Sequence, residues 1–155
     1  MIGLATGEQA PEFDLEEAFG KPRLRLRDFR GKRNVLLVFH PFAFTPVCAE
    51  EALDLQANLE SFHNAETDVI FVSCDTSAAR QAWKSELGAT YAFASDFWQH
   101  GATARAYGVF NDETGAPRRG TFLIDKDGIV IWSLVKDSKR TEMVPESLEA
   151  LDEQP

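Results

Sequence analysis

NVLLVFHPFAFTPVC, residues 34–48, is the stretch from which the rest of the chain can be read. Its first eight residues form a continuous apolar run, the pattern of a central strand buried on both faces. Pro41 ends that strand. Pro46 is suited to the first turn of a helix, where its missing N–H would have no partner in any case, and this places Cys48 inside that first turn. Beyond it, CAEEALDLQANLESFH (48–63) sets Ala52, Leu55 and Leu59 at helical spacing, with acidic residues expected in the first turn, where they favour the helix dipole. The unit is a strand, a turn and a helix.

Working outward, the same alternation recurs. DVIFVSCD (68–75) is a second apolar, β-branched strand. TSAARQAWKSELG (76–88) follows as a helix with Thr76 or Ser77 as cap, Trp83 and Leu87 as an apolar pair, and Gly88 as terminator. YAFASD (91–96) predicts a short strand and GATARAYGV (101–109) a short helix. TFLIDKDGIVIWSLV (121–135) predicts a hairpin turning at Lys126–Gly128, and MVPESLEALDEQ (143–154) a closing helix. Strands alternating with helices predict an α/β fold, a central sheet flanked by helices, in one domain over residues 1–155.

A chain of 155 residues is long enough to bury a core without disulfides or metal, and its 44% apolar and 26% charged content is that of an ordinary globular protein. A formal charge of −9 argues against nucleic acid or an anionic membrane as partner. The basic run KPRLRLR (21–27) alternates Leu24 and Leu26 with arginines and reads as a strand with a solvated basic face. The N-terminal MIGLATGEQAPEF has neither the basic start nor the apolar run of a secretory signal, so a cytoplasmic protein is expected. Neither the two cysteines nor the three histidines fall at metal-ligand spacing, and no cofactor or metal is expected.

The chemistry lies in the loop. Unpaired N–H groups at a helix start, together with the dipole, favour thiolate over thiol at Cys48. Pro41 can wall one side of the sulfur without adding a donor, and the Thr45 hydroxyl, three residues before Cys48, can both donate and accept. A sheltered thiolate with a hydroxyl beside it, and neither general base nor metal, suits attack on a peroxide oxygen to give sulfenic acid.

With these residues in view, Pro41-x-x-x-Thr45-x-x-Cys48 resembles the active-site motif of the peroxiredoxins. GEQAPEFDL (7–15) is similar to that family's opening segment, and the strand before the loop fits as well. SDFWQHGATARAYGVFN (95–111) and RRGTFLIDKDGI (118–129) are similar to the AhpE-type one-cysteine subgroup. The resemblance implies a thioredoxin-like fold and a thiol-dependent peroxidase acting on hydrogen peroxide, organic hydroperoxides or peroxynitrite. It also implies a homodimer joined through the loops around the active site, to which Phe44, Phe97 and Trp98 are candidate contributors unless they pack within their own subunit. By the same resemblance Cys48 is the peroxidatic cysteine, Thr45 binds the peroxide, Pro41 shields the sulfur, Arg119 approaches the thiolate with Arg118 as its nearest competitor, and Glu51 orients that arginine. The implied reductant is an external thiol: a low-molecular-weight thiol such as mycothiol, or a mycoredoxin- or glutaredoxin-like protein.

Other residues stay open at this level. His40 either tunes the nearby charge or packs at the strand end. His63 and His100 have no partner cysteine at motif spacing. Cys74, the only candidate to resolve a sulfenate, shares a strand face with Ile70 and Val72 and is expected to be buried and inert. A thiol–disulfide oxidoreductase would want a cysteine where Glu51 stands, a cysteine hydrolase would need His40 or His100 at Cys48, and a redox sensor would take up a single equivalent of peroxide.

Overall fold

In the computed structural model, which describes residues 2–154, the chain opens with two short strands, β1 (Asp14–Leu15) and β2 (Leu24–Arg25). Then come β3 (Asn34–Phe39), α1 (Pro46–Ala57), α2 (Leu59–Asn64), β4 (Thr67–Ser73), α3 (Ser77–Leu87) and β5 (Ala92–Ser95). The second half holds α4 (Ala102–Ala106), β6 (Phe110–Asn111), β7 (Ala116–Pro117), β8 (Arg119–Ile124), β9 (Val130–Lys136) and α5 (Met143–Asp152). Five strands form the main sheet in the order β5-β4-β3-β8-β9. β3, β4 and β5 run parallel, while β8 is antiparallel to both β3 and β9.

The expected central strand is β3, and all six of its residues are buried because the sheet is covered on both faces. Alternation sends Val35, Leu37 and Phe39 to one layer, with Phe13, Leu15, Tyr107 and Phe122. Leu36 and Val38 face the other, where Cys48, Ala52 and Leu55 of α1 meet Phe71, Trp83 and Phe93. Cys48 thus lies on the buried face of α1, in the second layer, just after the loop that follows the C-terminal end of the central strand.

Several elements match the sequence reading closely. Thr76 caps α3 by accepting the Ala79 amide, and Gly88 closes it at φ +69°. The hairpin turns at Lys126–Gly128, where Gly128 adopts φ +81° and its amide bonds the Asp125 carbonyl.

Others are corrected. The helix expected over 48–63 is two helices: Asn58 adopts φ −113°, its side-chain amide bonds the Asp54 carbonyl, and the axis breaks there. The helix begins at Pro46 as expected, but its first turn therefore holds no acidic residue, and Glu50 and Glu51 fall in the second. The basic strand is only two residues long. Arg23 and Arg25 pair with Asp14 on β1, and the chain then tightens into a 3-10 turn at Leu26–Asp28. Cys74 is buried as expected but stands just past the end of β4, in the turn leading to α3. Among the described residues no helix is long and apolar enough to cross a membrane.

Candidate active site

Thr45 is the residue before α1, Pro46 its first position, and Cys48 its third. The Thr45 hydroxyl does not cap the helix. It donates to the Phe42 carbonyl at 2.7 Å, so the first-turn amides of Val47 and Cys48 have no side-chain acceptor. Its proton is thereby engaged, and its lone pairs are left to accept. The loop is held in a conformation it would not choose alone: Phe44 sits at φ +62°, a left-handed value that costs a bulky residue about 1–2 kcal/mol.

Cys48 is fully buried. Arg119, at the start of β8, donates through Nη1 to Cys48 Sγ at 3.2 Å and to Glu51 Oε1 at 2.7 Å. Glu51 follows Cys48 by one helical turn and so shares its face. The carboxylate also accepts from Arg140: Nη2 to Oε1 at 2.9 Å, Nε to Oε2 at 2.8 Å, and the backbone amide to Oε2 at 2.9 Å. Arg140 in turn donates to Thr121 Oγ1 on β8 at 2.9 Å. Two guanidiniums and one carboxylate leave one positive charge over, beside Cys48 Sγ.

The electrostatics follow this geometry. Burial raises the Glu51 pKa, but the hydrogen bonds and charge of Arg140, then the charge of Arg119, outweigh it and hold the carboxyl below its ordinary range. Burial likewise works to deprotonate Arg119, and Cys48 and Glu51 reverse this, so its pKa rises.

Pro41 and Phe42 line a cleft of about 170 Å³ together with Pro117, Arg118, Arg119 and Lys136. Arg118 stands on its wall and touches neither Cys48 nor Glu51; its amide bonds the Val109 carbonyl. A larger surface groove of about 680 Å³, lined by Phe29, Leu59, His63 and Tyr91, contains no cysteine.

His40 is fully buried, stacked on Phe71 at 3.9 Å, with Nε2 2.6 Å from an Arg80 nitrogen. Burial, then the Arg80 charge, holds its pKa well below the usual value, so it is a neutral ring. His63 lies near Arg33, and His100 meets the Gly115 carbonyl, both away from the cluster. Burial, then Asp96 and Asp75, pushes the Cys74 thiol up to about 12. Trp83 is a core residue, whereas Phe97 and Trp98 are exposed. Arg140 and Arg80 carry no sequence signal. Each acts through contacts that only the fold creates, although a buried carboxylate one turn after the cysteine already calls for cations.

The chain matches the AhpC/TSA family over residues 6–133. Alkyl hydroperoxide reductase E of Mycobacterium tuberculosis is 39% identical over 133 residues, covering 86% of this chain and 86% of its own. A putative peroxiredoxin in the rubredoxin operon of Clostridium pasteurianum is 33% identical, covering 94% and 86%. Among solved structures, the reduced 2-Cys peroxiredoxin of Plasmodium vivax superposes with a TM-score of 0.84 at 31% identity, covering 95% of this chain and 80% of that one. A family match over most of the length, relatives of this identity and a shared thioredoxin-like sheet together mean that the chain belongs to the AhpC/TSA family and is a peroxiredoxin, a thiol-dependent peroxidase.

Proposed function

We propose that Cys48 is the peroxidatic nucleophile of a one-cysteine cycle. The observation that carries this reading is the Arg119 bridge between Cys48 Sγ and Glu51 at the start of α1. The thiolate attacks the terminal peroxide oxygen and the O–O bond breaks. Sulfur becomes sulfenic acid, and the departing hydroxide or alkoxide takes a proton to leave as water or alcohol. Arg119 and the first-turn amides steady the charge as it moves from sulfur to the leaving oxygen. Thr45 accepts the peroxide O–H, Pro41 keeps competing donors away, and Glu51, itself held by Arg140, aims Arg119. An external thiol then attacks the sulfenate sulfur, releasing water and leaving a mixed disulfide that a second thiol clears. We assign this step to a low-molecular-weight thiol such as mycothiol, or to a mycoredoxin- or glutaredoxin-like protein, in the cytoplasm.

Intact mass after one equivalent of hydrogen peroxide tests the cycle. The expected product gains one oxygen. A Cys48–Cys74 disulfide, which loses two hydrogens, would overturn the one-cysteine reading. Excess peroxide is expected to drive Cys48 on to sulfinic acid.

Replacing Arg119 by Ala is expected to slow oxidation about 100-fold and move the rising limb of the rate–pH profile to higher pH, since a cation is lost beside an anion. Stopped-flow fluorescence reads both. Arg118→Ala should leave the rate within about twofold, since Arg118 does not reach the sulfur; the opposite pattern would exchange the two roles.

We also assign a homodimer. Phe42, Phe44, Phe97 and Trp98 are all large and exposed, and the first two belong to the active-site loop. Sedimentation at micromolar concentration should give twice the 17.3 kDa chain mass; a monomer would remove this assignment.

A further inference from the structure

Arg80, on α3, is as deeply buried as the core phenylalanines, yet among the described residues its guanidinium meets no carboxylate. Nε donates to the Ala94 carbonyl at 3.0 Å and Nη2 to the Phe71 carbonyl at 2.7 Å. Nη1 donates to Ser73 Oγ at 2.9 Å and to His40 Nε2 at 2.6 Å. The rings of Phe71, Trp83 and Phe93 surround it. Burial pulls its pKa down to about 10, which leaves it charged at neutral pH. Burying a charge costs several kcal/mol, and replacing buried ionic groups by apolar side chains of similar volume is often neutral for stability. Fold stability alone does not account for this residue.

Its hydrogen bonds lead to the loop before Cys48 along two branches. The first is His40, which directly precedes Pro41. Since Nε2 accepts from Arg80, the proton of the neutral ring lies on Nδ1. The second runs through Ser73, whose Oγ donates to Asp75 Oδ2 at 2.5 Å; that same oxygen accepts the Ala43 amide at 2.8 Å. Ala43 adjoins Phe44, the residue held at φ +62°. The two branches therefore bracket residues 40–43 from one buried cation, just upstream of the strained residue.

We infer that Arg80 is a positioning residue of the peroxidase site: through His40 and through Ser73–Asp75 it holds the loop in the conformation that presents Cys48 to Arg119. The inference rests on the role given to Cys48 above.

Hydrogen–deuterium exchange over residues 41–48 and the second-order rate of Cys48 oxidation test it together, in Arg80→Gln, Arg80→Lys and Ser73→Ala. Arg80→Gln is expected to speed exchange in the loop selectively and to lower the oxidation rate, per titratable thiol, by about 10- to 100-fold. Arg80→Lys should recover part of the rate, and Ser73→Ala, which cuts one branch only, should fall between. Unchanged loop exchange and rate, or exchange rising evenly through the sheet with the rate per thiol intact, would overturn the inference. Should both Arg80 variants fail to fold, Ser73→Ala decides: no added loop exchange means no bracket. If the parent protein itself consumes no peroxide, it is the Cys48 reading that fails, and the exchange measurement still decides whether Arg80 holds the loop.

Discussion

Cys48→Ser is expected to abolish peroxide reduction while the protein keeps its fold. Sulfur and oxygen differ little in size, and the side chain is one small member of the buried cluster that holds Val38, Ala52 and Trp83, so the second core layer survives the exchange. The chemistry does not survive. A serine hydroxyl is not ionised by one guanidinium and a helix start, and it cannot take up oxygen as sulfur does. Peroxide consumption with excess thiol should drop to background, with a melting curve close to that of the parent. Residual turnover above a trace would transfer the reaction to Cys74, a group kept as thiol by burial and by two neighbouring aspartates. Cys74→Ser should accordingly retain the parent rate.

Glu51→Gln is expected to have the largest effect on stability. The carboxylate is fully buried and accepts four hydrogen bonds from two arginines. Neutralising it leaves Arg140 buried with no opposite charge, a loss of about 3–5 kcal/mol, or a melting point lower by roughly 10 °C in a chain of this size. Acid unfolding supplies the sign. Because the folded-state pKa of Glu51 is lowered, its contribution is fully present above the ordinary value of 4.5 and is lost as pH falls through the folded value. The variant should therefore lose less stability than the parent below that pH. Oxidation of Cys48 should slow as well, since Arg119 loses the group that aims it. A variant as stable as the parent at pH 7, with the same acid profile, would show that the carboxylate is not what holds the cluster together.

The parts of the molecule legible in the sequence are those fixed by neighbours along the chain. β3 could be read because six consecutive residues are buried, α3 because Thr76 and Gly88 mark its ends, and the position of Cys48 because Pro46 starts a helix. Arg119 came from resemblance, and the structure brings it to the sulfur. What stayed hidden depends on distant partners. Arg140 meets Glu51 across 89 residues, and Arg80 meets His40 across 40, with no periodicity linking either pair. The break at Asn58 was hidden for a different reason: its side chain bonds its own helix, and that competes with the next turn without altering the apolar spacing around it. Cys74 kept the strand alternation on paper, although β4 ends one residue earlier.

The arginine clamp on Glu51 also has a consequence for the order in which the protein is made. Arg119 follows Cys48 by 71 residues and Arg140 follows Glu51 by 89, so a ribosome adding about 5–20 residues per second needs roughly 4–18 s between Glu51 and the last of its partners. During that interval the growing chain carries Cys48 without Arg140 and, for most of it, without Arg119. The second core layer closes at the same stage, since Leu123, Met143 and Leu151 also belong to it. A chain that stops short of Arg140 therefore lacks part of the cluster around Cys48, and on the reading proposed above its sulfur should react more slowly with peroxide.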